Sequence, residues 1–316
     1  MASGYPTVSV IVPARDAASV IREAVLSALG QDYPGELEVV VAVPPEDHAT
    51  RAALRDLEVR VVDNPDGSTP HGLNRALEAA RGEVIVRCDA QSKLPPGYVS
   101  RAVHLLETTG AANVGGIQRG IGETFFERAV AIAQSTPMGV GDARYRLGGP
   151  PGWVDTVYLG VFRRSALEEV GGFDPDLKRN QDYELNYRLR AAGYGVWFDP
   201  SLVVDYRPRG SLRELWRQYW DYGSWKRRVL RLHPGSLRWR QLAAPCLVIA
   251  LAASGVGISA GVVWTGLLPA GYGAALALTG LVEAVRRHDW AGLLSPVALG
   301  AMHLAWGLGF LFGQSR

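Results

Sequence analysis

Three stretches near the C-terminus limit this chain most. Residues 242–264 carry no charge, residues 266–285 carry only Glu283, and residues 291–313 have only His303 as an ionisable side chain. As a helix, each is long enough to cross the ~30 Å hydrocarbon core of a bilayer. The expectation is a multi-pass cell-membrane protein with three transmembrane helices in a domain covering 240–316. Thr265, Gly266 and Pro269 allow a tight reversal between the first two stretches, and Arg286, Arg287 and His288 separate the second from the third. The positive-inside rule places Arg238/Arg240 and Arg286/Arg287 on the cytoplasmic side, which needs an even number of crossings between them. Two spans satisfy it. The competing reading is a buried helix pair with a re-entrant segment, because Gly and Pro are frequent here.

The rest of the chain, residues 1 to about 235, has a different pattern. VSVIV (8–12), LEVVVAV (37–43), VRVV (59–62) and EVIVRC (83–88) read as buried strands bounded by turn residues. Helical patterns fall between and after them, at about 17–29, 47–56, 70–80 and 97–109. Such alternation predicts an α/β domain with a mainly parallel sheet covered on both faces, its ligand edge at the strand C-termini. After residue 110 the pattern loosens. Residues 123–135 read as a helix, 137–152 as a Gly/Pro-rich loop, 154–164 as a strand, and 180–192 as a helix with Asn180 as its N-cap. The N-terminus, MASGYPT, has no apolar signal region, so this part of the chain is expected in the cytoplasm. Cys88 and Cys246 are the only cysteines and imply neither a disulfide framework nor a cysteine metal site.

The net charge of +2 hides an uneven distribution. Residues 207–240 hold ten Lys/Arg against Glu214 and Asp221, so this segment carries +8 and the remainder −6. A basic amphipathic helix is expected at about 211–232. Within RQYWDYGSWKRR (217–228), Trp and Tyr suit a bilayer interface while Arg and Lys suit head groups. Guanidinium groups also bind phosphate bidentately. Arg217, Trp220, Trp225, Lys226, Arg227 and Arg228 are therefore candidates for holding lipid phosphate or a lipid-linked acceptor. A surface helix solvated by its arginines is the plainer reading. Nucleic acid would suit the same pattern, but the adjoining apolar stretches argue against it.

Two short motifs carry chemistry. In CDAQ (88–91), Asp89 follows a strand and so sits at the ligand edge of the sheet. A nucleotide diphosphate needs a divalent cation, and Mg²⁺ or Mn²⁺ prefers oxygen ligands. Asp89 suits the cation or the ribose, although an aspartate after a strand is more often a turn residue. In NQDYELNYRLRAAG (180–193), Asp182 falls in a first helical turn, where the macrodipole favours the ionised form. A carboxylate there can take a proton from an attacking hydroxyl. Helix-start electrostatics alone would also place an acid there. Glu184 is on another side of the helix.

Together, VSVIVPARDAASVIREAVLSALGQDYP, GSTPHGLNRALEAARGEVIVRCDAQ and VFRRSALEEVGGFDPDLKRNQDYELNYRLRAAG resemble family 2 glycosyltransferases of the GT-A fold. Their order and spacing match from about Thr7 to Pro208, and the nearest flavour is the succinoglycan-type transferases with C-terminal membrane helices. The resemblance implies single displacement with inversion at the anomeric carbon. By position, Pro13, Ala14 and Arg15 match the family's base-binding first loop. Asp89 matches the first residue of its DxD-type motif, and Gln91 falls where many members have Asp or His. Asp182 matches the catalytic base, with Gln181 in place of the usual preceding acid. Gln91 is a neutral, poorer ligand for a hard cation, so metal binding would rest on Asp89 with diphosphate oxygens. AVPPEDHA (42–49) stands where the family has an acidic pair, so Glu46 or Asp47 is a candidate donor contact or alternative base.

The resulting expectation is a nucleotide-sugar-dependent, inverting glycosyltransferase. It would act on a lipid-linked saccharide at the cytoplasmic membrane face, with a divalent cation. Direct transfer to polyprenyl phosphate is the runner-up, and a non-catalytic membrane scaffold of the same fold is the alternative from another class. Sugar, base, linkage and oligomeric state are not legible.

Overall fold

The computed structural model describes residues 4–314. In chain order it contains β1 (Val8–Pro13), α1 (Ile21–Leu29), β2 (Leu37–Val43), α2 (His48–Ala52), β3 (Arg60–Asp63), α3 (Thr69–Ala79), β4 (Val84–Arg87), α4 (Tyr98–Thr109) and β5 (Asn113–Gly120). There follow α5 (Phe125–Gln134), α6 (Pro137–Val140), α7 (Arg144–Leu147), β6 (Gly152–Trp153), β7 (Tyr158–Arg163), α8 (Arg164–Glu169), α9 (Gln181–Ala191) and β8 (Val196–Tyr206). The chain ends with α10 (Leu212–Leu232), α11 (Ala243–Ser259), α12 (Leu267–Arg287) and α13 (Ser295–Phe312). The four expected strands and the helices between them are all present. The region after residue 110 holds more strand than expected, with β5, β6 and β8 added.

The chain divides into two compact units. The first runs to Gln118 and resumes over Gly148–Tyr206; the second joins Arg119–Leu147 to the residues from Arg207 onward. The division falls elsewhere than the sequence-based expectation of a boundary near 235. The basic helix α10 and the segment α5–α7 belong with the apolar helices, not with the sheet.

In the first unit the sheet order is β3-β2-β1-β4-β7-β5-β8-β6. Strands β3, β2, β1 and β4 are parallel, β7 runs antiparallel to both β4 and β5, and β6 pairs antiparallel to β8. The architecture is a mostly parallel mixed sheet of GT-A type. Alternate strand residues feed opposite faces, which is why these runs read as continuously apolar. Val10 and Val12 join Ile21, Val25, Val39, Val41 and Val99 on one face, while Ile11 joins Val40, Leu73, Ile85, Phe162 and Leu185 on the other. From β1 the chain builds outward through β2 to β3, then returns to place β4 on the other side of β1. Open α/β sheets bind ligands in the crevice at such a reversal, which here falls at the C-terminal ends of β1 and β4.

In the second unit, α10 packs along α13 without side chains between their closest points. A Cβ on Gly223 would collide with the Trp306 carbonyl, and one on Gly309 with the Trp220 carbonyl. Around this contact Val130, Ala133, Leu215, Tyr219, Leu299, Met302 and Ala305 form an apolar core. Among the described residues three helices are long and apolar enough to cross a membrane: Trp239–Ser259, Val263–Arg287 and Trp290–Phe312.

Candidate active site

The crevice is built from two strand ends and one helix start. β4 ends at Arg87, a buried residue with 5% of its surface exposed. An arginine in a buried strand needs anionic partners to remain charged, and this one has two. Its Nε and Nη2 donate to Asp89 Oδ1 at 3.3 and 3.0 Å, and its Nη1 donates to Asp182 Oδ1. One guanidinium thus joins the carboxylate after β4 to the carboxylate in the first turn of α9. The Phe173 ring lies beneath it, 5.9 Å from the guanidinium carbon.

Two carboxylates share one cation, so the trio carries a net charge of −1 when all three groups are ionised. Burial opposes the Arg87 charge, but Asp182 and Asp89 outweigh it and hold the guanidinium above its ordinary pKa. For Asp182, burial raises the pKa, Arg87 pulls it down, and the Asp89 charge adds to the rise; the net direction is upward. The Asp182 side chain nonetheless keeps 26% of its surface open and Asp89 keeps 21%. A carboxylate that is reachable and more basic than usual is suited to accept a proton. Cys88 lies between the charged residues, but burial pushes its thiol well up, so it offers no thiolate nucleophile.

Several contacts hold α9 in place. Asn180 at its N-cap position adopts φ 63° and its side chain makes no capping bond, unlike the cap expected. Gln181 instead donates to the Lys178 carbonyl at 3.0 Å. Glu184 points inward, as a bidentate partner of Arg188 at 2.7 Å per bond. Arg188 also donates to the carbonyls of Val170 and Gly172 at 2.5 and 2.8 Å. From α3, Asn74 binds both the N–H and the carbonyl of Phe173, at 2.9 and 2.7 Å. Deeper, Asn113 donates to Asn186, which donates to Thr156. The segment carrying Asp182 is therefore fixed to the sheet and to α3.

At the neighbouring end of β1, Pro13 is half-buried, Ala14 is buried and Arg15 is exposed. The Ala14 N–H donates to the Ala42 carbonyl at 2.9 Å, so its backbone extends the ladder to β2. Arg15 pairs loosely with Asp16 at 3.5 Å and lies over Gly67. Asp47 caps α2 through the Thr50 N–H at 3.0 Å, and its other oxygen accepts from the Asp16 N–H at 2.7 Å. Burial works against its charge, but the bonds from Thr50 and Asp16 prevail and hold its pKa below the ordinary value. Asp47 thus shapes the first loop, while Glu46 is exposed nearby. Gln91 is exposed on the turn after Asp89.

Among the described residues no three His, Cys, Asp or Glu side chains form a metal cluster. A cation here would therefore draw on Asp89, the neutral Gln91 and non-protein oxygens. That fits Mg²⁺-type chemistry, which commonly uses one or two carboxylates, substrate phosphates and water. The net negative charge of the trio favours it.

The basic helix residues lie in the second unit, and part of their expected role is corrected. Lys226 is 3% exposed and donates to the carbonyl and hydroxyl of Ser236 at 3.1 and 3.2 Å. Trp225 is buried too, with the Arg228 guanidinium 5.7 Å from its ring. Arg227 donates to the carbonyls of Leu311 and Gly313, closing the end of α13. Trp220 is half-buried and Arg217 is exposed. The buried side chains are taken up by helix packing. Arg87 was not singled out from sequence, although an arginine in a buried strand is itself a signal of paired acids.

The family described as Glycosyltransferase like family 2 matches residues 6–220. The chain is 33% identical over 266 residues to the succinoglycan biosynthesis protein ExoA of Rhizobium meliloti (strain 1021), covering 83% of this chain and 79% of that protein. It is 22% identical over 246 residues to a dolichyl N-acetyl-alpha-D-glucosaminyl phosphate 3-beta-D-2,3-diacetamido-2,3-dideoxy-beta-D-glucuronosyltransferase of Methanococcus voltae, covering 73% of this chain and 76% of that one. The mannosyltransferase PcManGT of Pyrobaculum calidifontis, solved with GDP-Man and Mn²⁺, superposes with a TM-score of 0.67 at 24% identity. That alignment covers 98% of this chain and 88% of the other. With the fold, the crevice and the paired acids in place, the chain belongs to the family 2 glycosyltransferases and is an enzyme of that family.

Proposed function

We propose that this enzyme transfers a sugar from a nucleotide-sugar donor to a lipid-linked saccharide at the cytoplasmic face of a membrane, with inversion at the anomeric carbon. The observation that carries the reading is the meeting of Asp89 and Asp182 on Arg87 at the β1/β4 crevice. Pro13, Ala14 and Arg15 line the donor side, with Asp47 fixing their loop. Asp89, assisted by Gln91, would hold a divalent cation, which supplies neutralising charge to the donor diphosphate. Asp182 accepts the proton of the attacking hydroxyl. The acceptor oxygen bonds to the anomeric carbon as the bond from that carbon to the diphosphate oxygen breaks, and the electron pair leaves on the nucleotide diphosphate. Arg87 positions both carboxylates.

The donor and cation are supported by the GDP-Man and Mn²⁺ bound to PcManGT. Glycan assembly and a lipid-linked acceptor are supported by the names of the Rhizobium and Methanococcus relatives. The apolar helices supply the membrane attachment and the exposed Arg217 a head-group contact. The test is transfer by detergent-purified protein across nucleotide sugars and lipid-linked acceptors, reading released nucleotide and lengthened lipid. Product formation with Mn²⁺, lost on chelation, supports the reading. Absence of both transfer and donor hydrolysis across the panel would leave only a scaffold of this fold.

A further inference from the structure

The three apolar C-terminal helices do not share one environment. The most apolar windows in the first two candidate spans are each 11% buried, whereas that of the third is 44% buried. Ile249 on α11 and Leu267, Leu278 and Val285 on α12 are each more than half exposed, as lipid-facing residues would be.

Besides the apolar core described above, α13 is flanked by a charged helix. α10 carries Arg213, Glu214, Arg217, Asp221, Lys226, Arg227, Arg228 and Arg231 within 21 residues. It follows the C-terminal half of α13: Ser224 donates to the Gly309 carbonyl at 3.2 Å, and Arg227 donates to the carbonyls of Leu311 and Gly313. Just before α13 begins, Arg128 of α5 pairs with Asp289 at 3.0 Å. α10 cannot lie across hydrocarbon with these charges, so it lies at the surface, and the helix packed along it lies there too.

Contacts with α11 and α12 give the same answer independently. Gly292, just before α13, packs against the backbone of Ala284 in the last turn of α12. Gly307, late in α13, has the carbonyl of Ala244 2.6 Å from where its Cβ would stand, in the first turn of α11. Residues 260–266 joining α11 to α12 are uncharged, so Ala244 and Ala284 are at the same, charged end of a helical hairpin. α13 bridges these two ends.

We infer that α11 and α12 alone cross the bilayer, as a hairpin, while α13 lies in the membrane interface beside α10. Its exposed residues Leu293, Val297 and Phe312, with Trp290 just ahead of them, rest on the acyl boundary. The inference builds on the proposed membrane attachment and narrows three candidate spans to two. It returns the end of α13 to the side from which α11 enters.

Labelling with a membrane-impermeant maleimide tests this on the full chain. The exposed Cys246 is replaced by Ser, and the buried Cys88 is left. Single cysteines are placed at Arg55→Cys, just past α2, Val263→Cys, in the hairpin turn, and Gln314→Cys, beyond α13. Right-side-out and inverted vesicles are compared, with detergent to expose every site. Arg55→Cys and Gln314→Cys should label from one face and Val263→Cys from the other. Gln314→Cys labelling with Val263→Cys would make α13 a third span, and Val263→Cys labelling with Arg55→Cys would show that the hairpin does not cross. A C-terminal fusion to a fluorescent protein that folds only in the cytoplasm should fluoresce, and a dark fusion of full-length protein overturns the inference. Recovery of the unmodified protein in the soluble fraction without detergent would instead refute the membrane reading beneath it. Sidedness is independent of transfer activity.

Discussion

Asp182→Asn is the substitution that most directly tests the proposed chemistry. It keeps the size of the side chain and removes the charge that can take a proton. A positioned general base contributes roughly 10²–10⁴-fold, or about 2.7–5.4 kcal/mol at 1.36 kcal/mol per decade. The structure indicates that little else should change. Arg87 keeps Asp89 as an ionic partner, so the substitution leaves no orphaned buried cation. The lost charge-assisted bond is at a site with 26% of the acid exposed, and the carboxylate no longer has to be held ionised against burial. A net stability change of at most ~1 kcal/mol follows. The donor KM should barely move, since the base acts on the acceptor. The assay is sugar transfer beside a melting curve and a donor titration. Turnover within a few-fold of wild type, with intact folding, would remove Asp182 from the reaction and pass the role to Glu46 or Asp47.

Arg87→Gln should lower both stability and turnover. A buried pair that loses one partner costs about 3–5 kcal/mol, and the partial exposure of both acids reduces this to roughly 2–3 kcal/mol. Without the cation, the Asp182 pKa rises further above its unfolded value. The native variant then holds protons that the unfolded chain has released, so its deficit in urea melts should grow as pH rises through that window and shrink in acid; a pH-independent deficit would argue against the shared-cation account. Asp89→Ala should weaken donor affinity and abolish its Mn²⁺ dependence, while Gln91→Asp should tighten cation binding. Unchanged calorimetric affinity with and without Mn²⁺ would reduce Asp89 to a turn residue. Glu127 accepts from the Thr124 and Glu123 N–H groups and from Arg207, and despite its burial it titrates at about 2. Its folded pKa is depressed, so its contribution is full above about 4.5 and is lost as pH falls toward 2. Glu127→Ala should cost about 0.5–2 kcal/mol at neutral pH by removing half of a capping box, and equal melts for the two proteins at pH 7 would refute that role.

The first half of the sheet was readable because strands covered on both faces are apolar throughout. β5 was not, because its stability comes from the approach of its neighbours. NVGGIQRG has little strand propensity, but a Cβ at Gly116 would collide with the carbonyl of Leu202 on β8, so glycine there is what lets the strands meet. In β8, Asp199 and Pro200 interrupt an otherwise regular run. At the crevice, Asp89 and Asp182 stood out as motif residues at element ends. Arg87 was hidden inside EVIVRC, where its charge is paired with acids 2 and 95 residues away. The basic helix was read from its outward chemistry. In the structure Gly223 and Ser224 set the close approach of α10 to α13, Arg227 closes the end of α13, and Lys226 turns inward onto Ser236. In the same way α10 adjoins the sheet in sequence but packs on α13.

The Gly223–Gly309 contact also has a consequence for synthesis. The bond from Ser224 to Gly309 spans 85 residues of chain. α10 leaves the ribosome well before the helix that covers it exists. At about 5–20 residues per second that interval is roughly 4–17 s. During it Leu215 and Tyr219 lack their neighbours from α13. A nascent amphipathic helix with this arginine content has an obvious temporary resting place on anionic lipid, so the bilayer would serve as a holding surface until α13 is released. Anything that delays the last 20 or so residues prolongs a state prone to aggregation. Substituting Gly309 by alanine should therefore lower the yield of inserted protein more than it lowers the activity of the molecules that complete assembly.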